Sequence, residues 1–211
     1  GRQLAQHLSA YRGRKDVLIL ALPRGGVPVA YEVAKALNVP LDVFLVRKLG
    51  VPGHEELAMG AIASGGVRIL NHEIVQSLRI PAAVLDTVTH KEQIELERRE
   101  RAFREGLPQP NLAGKTVIII DDGLATGATM RAAAQALHAL GPARIVVAVP
   151  VAAVEACDAF RHEVDEVICA ETPEPFWGVG RWYQDFSQTS DAEVRIFLDL
   201  ARSGTSSQFS S

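Results

Sequence analysis

The chain has little of what builds an extracellular scaffold or a protein-held metal centre. Among 211 residues there are 2 cysteines, Cys157 and Cys169, with no CxxC or Cys/His spacing around them. A disulfide-dense mini-domain and a thiolate metal site are thereby excluded, and the expectation is two buried, reduced thiols in a cytoplasmic protein. The 6 histidines are scattered and form no HExxH, so no metal site is expected from the protein alone. No apolar run approaches the roughly 20 residues of a membrane span, and the opening residues contain no hydrophobic signal segment. With a net charge of −3, the chain lacks the basic excess that displaces counterions from nucleic acid. Neither a membrane nor a nucleic acid is an expected partner.

What is present is ordinary globular composition, 47% apolar and 22% charged, in a chain long enough for one large core. The dominant rhythm is a short β-branched run followed by an amphipathic helix, which predicts an α/β fold: a parallel sheet flanked by helices. Residues 17–22 (VLILAL) form the first expected strand, apolar enough to be buried on both faces. A helix is expected over 27–37, with Pro28 in its first turn, and a second strand over 41–46. Residues 50–56 are turn-rich, and 57–63 and 67–70 are two short strands. A long charged helix spans 81–106, where Glu95/Arg99, Glu97/Arg101 and Glu100/Arg104 stand one turn apart. That charge run is expected to be a solvated helix face. Further along, 117–120 is a strand, 126–140 a helix, 144–149 a strand, 153–162 a helix and 166–170 a strand. Residues 171–187 differ in kind, carrying both tryptophans among prolines and glycines. A closing helix follows over 191–201. The expected organisation is a core over 1–170 with an inserted loop and helix at about 50–106, a hood segment with the closing helix over 171–202, and a disordered tail over 203–211.

The chemistry concentrates in residues 117–130, VIIIDDGLATGATM. A strand delivers Asp121 and Asp122 to the carboxyl edge of a parallel sheet, where such folds bind ligands. A small-residue loop then opens a helix, so its amide N–H groups converge on an anion. Gly123 and Gly127 allow close approach, and Thr126 and Thr129 add hydroxyl donors. Two carboxylates beside an anion site make sense when they accept hydrogen bonds from neutral hydroxyls. Phosphate plus vicinal diol describes a ribose 5-phosphate. A Walker A loop is ruled out because no lysine follows Gly127. A dinucleotide fingerprint is ruled out because the acids precede the glycines.

This segment strongly resembles the phosphoribosyl-diphosphate (PRPP) signature of type I phosphoribosyltransferases. The resemblance implies a parallel α/β core with a small hood subdomain. It implies that Asp121 and Asp122 take the ribose hydroxyls and that Gly123, Leu124, Ala125, Thr126, Gly127, Ala128 and Thr129 wrap the 5-phosphate. The segment Leu22-Pro23-Arg24-Gly25-Gly26 looks like the family's diphosphate loop, and Arg47 with Lys48 ends the next strand where a basic residue contacts diphosphate. Arg24 and Lys48 are accordingly the candidate catalytic cations. Residues 50–56 are a candidate for part of a mobile closing loop. In the hood, Trp177, with Phe176 as its rival, is the candidate for stacking on a base. Mg²⁺ is implied as a cofactor that arrives with PRPP, and a homodimer is implied by the habit of relatives.

The expected activity is transfer of ribose 5-phosphate from PRPP to a nitrogen nucleophile, a nucleobase or similar amine, with diphosphate release. Departures from the family pattern leave the base open. Ala125 stands where 6-oxopurine enzymes carry an acid, and Ala170-Glu171 where they carry a lysine. A non-catalytic module that senses PRPP or a nucleotide is the alternative, and phosphorolysis or hydrolysis of a nucleotide is a third.

Overall fold

A computed structural model describes residues 1–206. Five strands form one parallel sheet: β1 (Val17–Ala21), β2 (Leu41–Val43), β6 (Thr116–Ile120), β7 (Arg144–Val151) and β8 (Glu166–Glu171), in the order β2-β1-β6-β7-β8. The acid-bearing strand β6 is therefore the middle one, and all five of its residues are buried. Its neighbours cover both edges and helices cover both faces, which is why its apolar run is continuous.

Side chains alternate between the two faces with period two. Val17, Ile19, Ala21, Ile118 and Ile120 pack with α1 (Arg2–His7), α2 (Gly26–Leu37) and the C-terminal helix α7 (Asp191–Ser206). Leu18, Leu20, Val117 and Ile119 pack with α5 (Ala128–Leu140) and α6 (Val154–Phe160) on the other face.

Between β2 and β6 the chain builds an antiparallel sheet from β3 (Val46–Val51), β4 (His54–Ala63) and β5 (Val67–Leu70). Residues 50–56 are thus a hairpin and not the open loop expected of them. Only Pro52 and Gly53 turn, with Gly53 at φ +79°. The pairing is irregular at Gly50, where a Cβ would meet the Glu55 carbonyl oxygen at 2.8 Å. A short helix, α3 (His72–Ser77), starts on Asn71, whose side chain accepts a hydrogen bond from the Ile74 amide. The charged helix α4 (Ala82–Arg104) follows.

Helix α4 departs from a purely solvated face. Leu85, Leu96, Phe103 and Arg104 are buried, and Arg104 reaches Asp42 at 3.1 Å. Of the three expected pairs, Glu95–Arg99 closes at 2.8 Å and Glu100–Arg104 stands at 3.6 Å, while Arg101 donates to the Glu97 carbonyl instead.

The expectation of reduced thiols is corrected: Cys157 on α6 and Cys169 on β8 form a disulfide. Their elements pack against each other, which a spacing of 12 along the chain does not announce. This pairing removes the support that reduced thiols gave to a cytoplasmic placement. Among the described residues no helix is long and apolar enough to cross a membrane. Helix α7 runs beyond the expected end at 201 to Ser206, so part of the expected tail is helical, and residues 207–211 lie outside the described residues.

Candidate functional site

At the carboxyl edge of the sheet β6 releases Asp121 and Asp122 into the small-residue loop that leads to α5. The Asp122 amide donates to Asp121 Oδ1 at 2.9 Å, which fixes the two carboxylates relative to each other. Burial, and secondarily the charge of Asp122, pushes Asp121 up to about 7; burial also raises Asp122. Free of ligand, the pair is an electrostatic load that hydroxyl donors would relieve.

Beyond the acids, Leu124 is anchored. Its amide donates to the Val151 carbonyl at 3.0 Å and its carbonyl accepts from the Ala153 amide at 2.9 Å. This staples the loop to the end of β7. Gly127 then turns with φ +70°, and a Cβ there would meet the Phe160 ring at 2.7 Å, so α6 supports the loop from below. Ala125, Thr126, Ala128 and Thr129 are exposed. Among the described residues, the amides of Ala125, Thr126, Gly127 and Thr129 donate to no protein acceptor. Four free N–H groups at the start of a thirteen-residue helix can receive an anion.

The glycine loop after β1 presses against the acids. A Cβ on Gly25 would lie 2.1 Å from Asp122 Oδ2, and one on Gly26 would lie 2.7 Å from the Ile120 carbonyl oxygen. The Pro23–Arg24 peptide is cis. Arg24 Nη1 stands 3.5 Å from Asp191 Oδ1 at the start of α7. Arg24, Gly25 and Asp122 together line a cleft of about 600 Å³.

The hood closes this cleft with residues other than the expected pair. Tyr183 donates its hydroxyl to the Asp122 carbonyl at 2.6 Å, and its ring lies 5.2 Å from that of Phe186. Burial, then the charges of Asp122 and Asp121, raises the Tyr183 phenol, so it stays a proton donor. Val179 covers Gly123 so closely that a Cβ there would fall 2.8 Å from its methyls. Tyr183 and Phe186 line the cleft; Trp177 is 74% exposed and, like Phe176, does not. The available signal for Tyr183 was its chemistry alone, an apolar ring with one polar tip in a segment already singled out.

Arg47 and Lys48 are not brought to this cleft. Arg47 donates to Glu92 of α4 at 2.8 and 2.5 Å, and Lys48 Nζ lies 3.5 Å from Glu56. Both line a separate cleft of about 460 Å³ between β3 and α4. Among the described residues, no group of three or more His, Cys, Asp or Glu could hold a metal ion. Two carboxylates beside an anion cradle suit a divalent cation carried in by its own phosphate ligand better than a resident one.

A parallel sheet whose middle strand ends in paired acids and an amide cradle, roofed by a hood, defines the class. The chain belongs to the phosphoribosyl transferase domain family, whose model matches residues 1–184. A Mycobacterium tuberculosis protein with a provisional phosphoribosyl transferase name is 51% identical over 201 residues, covering 95% of this chain and 45% of that one. The chain thus spans about half the length of that relative. The bifunctional protein PyrR of Chloroflexus aurantiacus is 36% identical over 129 residues, covering 60% of this chain and 65% of that one. The crystal structure of TT1426 from Thermus thermophilus superposes with a TM-score of 0.81 at 38% identity, covering 93% of both chains.

Proposed function

We propose that the chain transfers the ribose 5-phosphate of PRPP to a nitrogen nucleophile, a nucleobase or similar amine. The observation that carries this reading is the partly buried pair Asp121–Asp122 set between four free loop amides and the Arg24–Gly25 loop. The 5-phosphate occupies the cradle at the start of α5. Amides do most of the holding there, because the helix dipole contributes only about 0.3–1 kcal/mol. The ribose hydroxyls donate to Asp121 and Asp122, which places carbon 1 over the cleft. Arg24 leaves Asp191 and turns its guanidinium to the diphosphate.

The bond from carbon 1 to the diphosphate oxygen breaks with its electron pair on diphosphate. The nitrogen lone pair forms the new bond, and nitrogen then loses its proton. Mg²⁺ bound through the substrate's oxygens, with Asp121 and Asp122 as the nearest protein carboxylates, would neutralise the leaving group. Tyr183, Phe186 and Val179 form the roof that keeps water from a cationic sugar centre.

The test is PRPP binding by calorimetry with Mg²⁺, together with diphosphate release across a panel of purines, pyrimidines and small amides. Asp121→Asn with Asp122→Asn abolishes affinity; unchanged affinity refutes the assignment. Replacing Arg24 with Ala weakens diphosphate more than a nucleoside monophosphate. Tight PRPP binding with no release for any acceptor would instead establish a sensing module, a reading favoured by Ala125 in the loop and by the resemblance to a PyrR protein.

A further inference from the structure

The two cysteines take no part in the transfer chemistry, yet the bond between them braces the loop on which that chemistry depends. Cys157 lies on α6 and Cys169 on β8, the edge strand of the parallel sheet. Their disulfide closes residues 157–169 into a ring, and that ring carries contacts to the phosphate loop and to α5. Phe160 is fully buried, and its ring packs so closely on Gly127 that a Cβ there would fall 2.7 Å from it. Glu163 accepts from Arg131 Nε, in the first turn of α5, at 2.9 and 3.0 Å. The Glu163 carbonyl accepts from His138 Nε2 at 2.7 Å, near the other end of the same helix.

The chain on either side of the ring reaches both halves of the site. Just before α6, the Ala153 amide donates to the Leu124 carbonyl at 2.9 Å. Past Cys169, where the chain leaves the sheet for the hood, the Glu171 carbonyl accepts from the Ala152 amide at 3.0 Å. The disulfide thus joins the helix under the anion loop to the strand that bears the hood. With the bond cut, the ring keeps its packing and the bond from the Ile145 amide to Asp165 at 2.8 Å. A segment with fewer ties opens locally more often. Each opening draws Phe160 from Gly127 and Glu163 from Arg131.

We propose that Cys157 and Cys169 form a redox switch on the 5-phosphate loop. The disulfide form holds the loop ready for a phosphate ester, and the dithiol form lets it go. The inference rests on the ribose 5-phosphate reading of that loop. The reductant is a dithiol. Its thiolate attacks Cys169 Sγ, on the less buried partner, Cys157 being only 5% exposed. The S–S bond breaks with its electron pair on Cys157 Sγ, which takes a proton. The second thiol of the reductant then displaces Cys169 from the mixed disulfide. The chain gains two electrons and two protons, and the reductant departs as a disulfide. Linkage makes the switch reciprocal: the factor by which oxidation tightens the ester is the factor by which the ester resists reduction.

The test measures ribose 5-phosphate affinity by calorimetry for the oxidised chain, the chain reduced with dithiothreitol, and the double variant Cys157→Ala with Cys169→Ala. All are compared at a temperature where melts show them folded. Reduction weakens the ester about fivefold or more, the double variant matches the reduced chain, and saturating ester shifts the equilibrium with dithiothreitol towards the disulfide by the same factor. A merely structural disulfide moves neither quantity in a folded chain. Should the double variant fail to fold, the reduced chain carries the comparison. Hydrogen exchange without ligand is read in parallel, and the Leu124, Arg131 and Ala153 amides, each bonded in the frame of the loop, exchange faster after reduction. Equal affinity of the oxidised and reduced chains overturns the proposal, as do exchange rates unchanged by reduction. An oxidised chain that binds no ribose 5-phosphate at millimolar concentration refutes the ribose-phosphate reading instead, and the exchange rates still decide whether the disulfide governs the loop.

Discussion

Replacing Asp121 with Asn should stabilise the ligand-free protein while destroying its ribose site. Burial and the Asp122 charge lift Asp121 from 3.8 to about 7. The folded chain therefore holds that proton more tightly than the unfolded chain. For an acid shifted upward, stability falls as pH rises from the unfolded value towards about 7 and then levels off. At 1.36 kcal/mol per unit the full penalty is about 4 kcal/mol. The residue is only partly buried, and about half of that, near 2 kcal/mol, is a working value. Asparagine cannot ionise, yet its Oδ1 can keep the bond from the Asp122 amide. Between about pH 4.5 and about pH 8 roughly three quarters of the penalty develops. The variant's Tm advantage should widen over that range by about 3–6 °C for a domain of this size. Calorimetric melts at the two pH values, without ligand, measure it. A gap that stays constant or narrows as pH rises would refute the reasoning, since the buried carboxylate would then cost nothing on ionising.

Three other expectations follow from single contacts. Tyr183→Phe removes the 2.6 Å bond to the Asp122 carbonyl and should weaken PRPP about three- to tenfold in calorimetry, a net hydrogen bond being worth about 1 kcal/mol; unchanged affinity would deny the tyrosine its positioning role. Gly123→Ala puts a methyl 2.8 Å from Val179 and 2.9 Å from the Val151 carbonyl oxygen, and PRPP affinity should fall more than about tenfold because loop or hood must shift. Thiol titration of the unfolded, unreduced protein should find no free thiol, and reduction should cost about 3 kcal/mol for a loop of this length; two titratable thiols would refute the pairing.

What could be foreseen from the sequence divides along a physical line. The acid pair and the loop after it were legible because their chemistry is local: a doubly buried strand, two carboxylates and a run of small residues occupy consecutive positions. The same holds for β1 and its glycine turn. Contacts between distant segments were not legible. Gly50, Pro52 and Gly53 spell a loop by propensity, yet β5 templates β4 and the hairpin forms regardless. Arg104 follows the helical charge period and looked solvated, but Asp42 in the middle of β2 supplies an ion pair that draws it inside. Trp177 was the conspicuous aromatic of the hood. The cleft instead takes Tyr183 and Phe186, because the Asp122 carbonyl, a backbone group invisible to side-chain motifs, chooses the tyrosine. Arg47 was expected to end a strand over 41–46, but β2 stops at Val43 and Arg47 lies within β3, where it meets Glu92, a partner no spacing foretold.

The 2.1 Å approach between Gly25 and Asp122 Oδ2 has an evolutionary consequence. Any side chain at 25 forces the Asp122 carboxylate to turn away or residue 122 to be shortened, and either change moves a carboxylate from its place beside the loop. The two positions are therefore expected to vary together rather than singly. A library randomising both should return functional chains almost solely as the parental pair, whereas libraries varying either with a surface position should show independent tolerance.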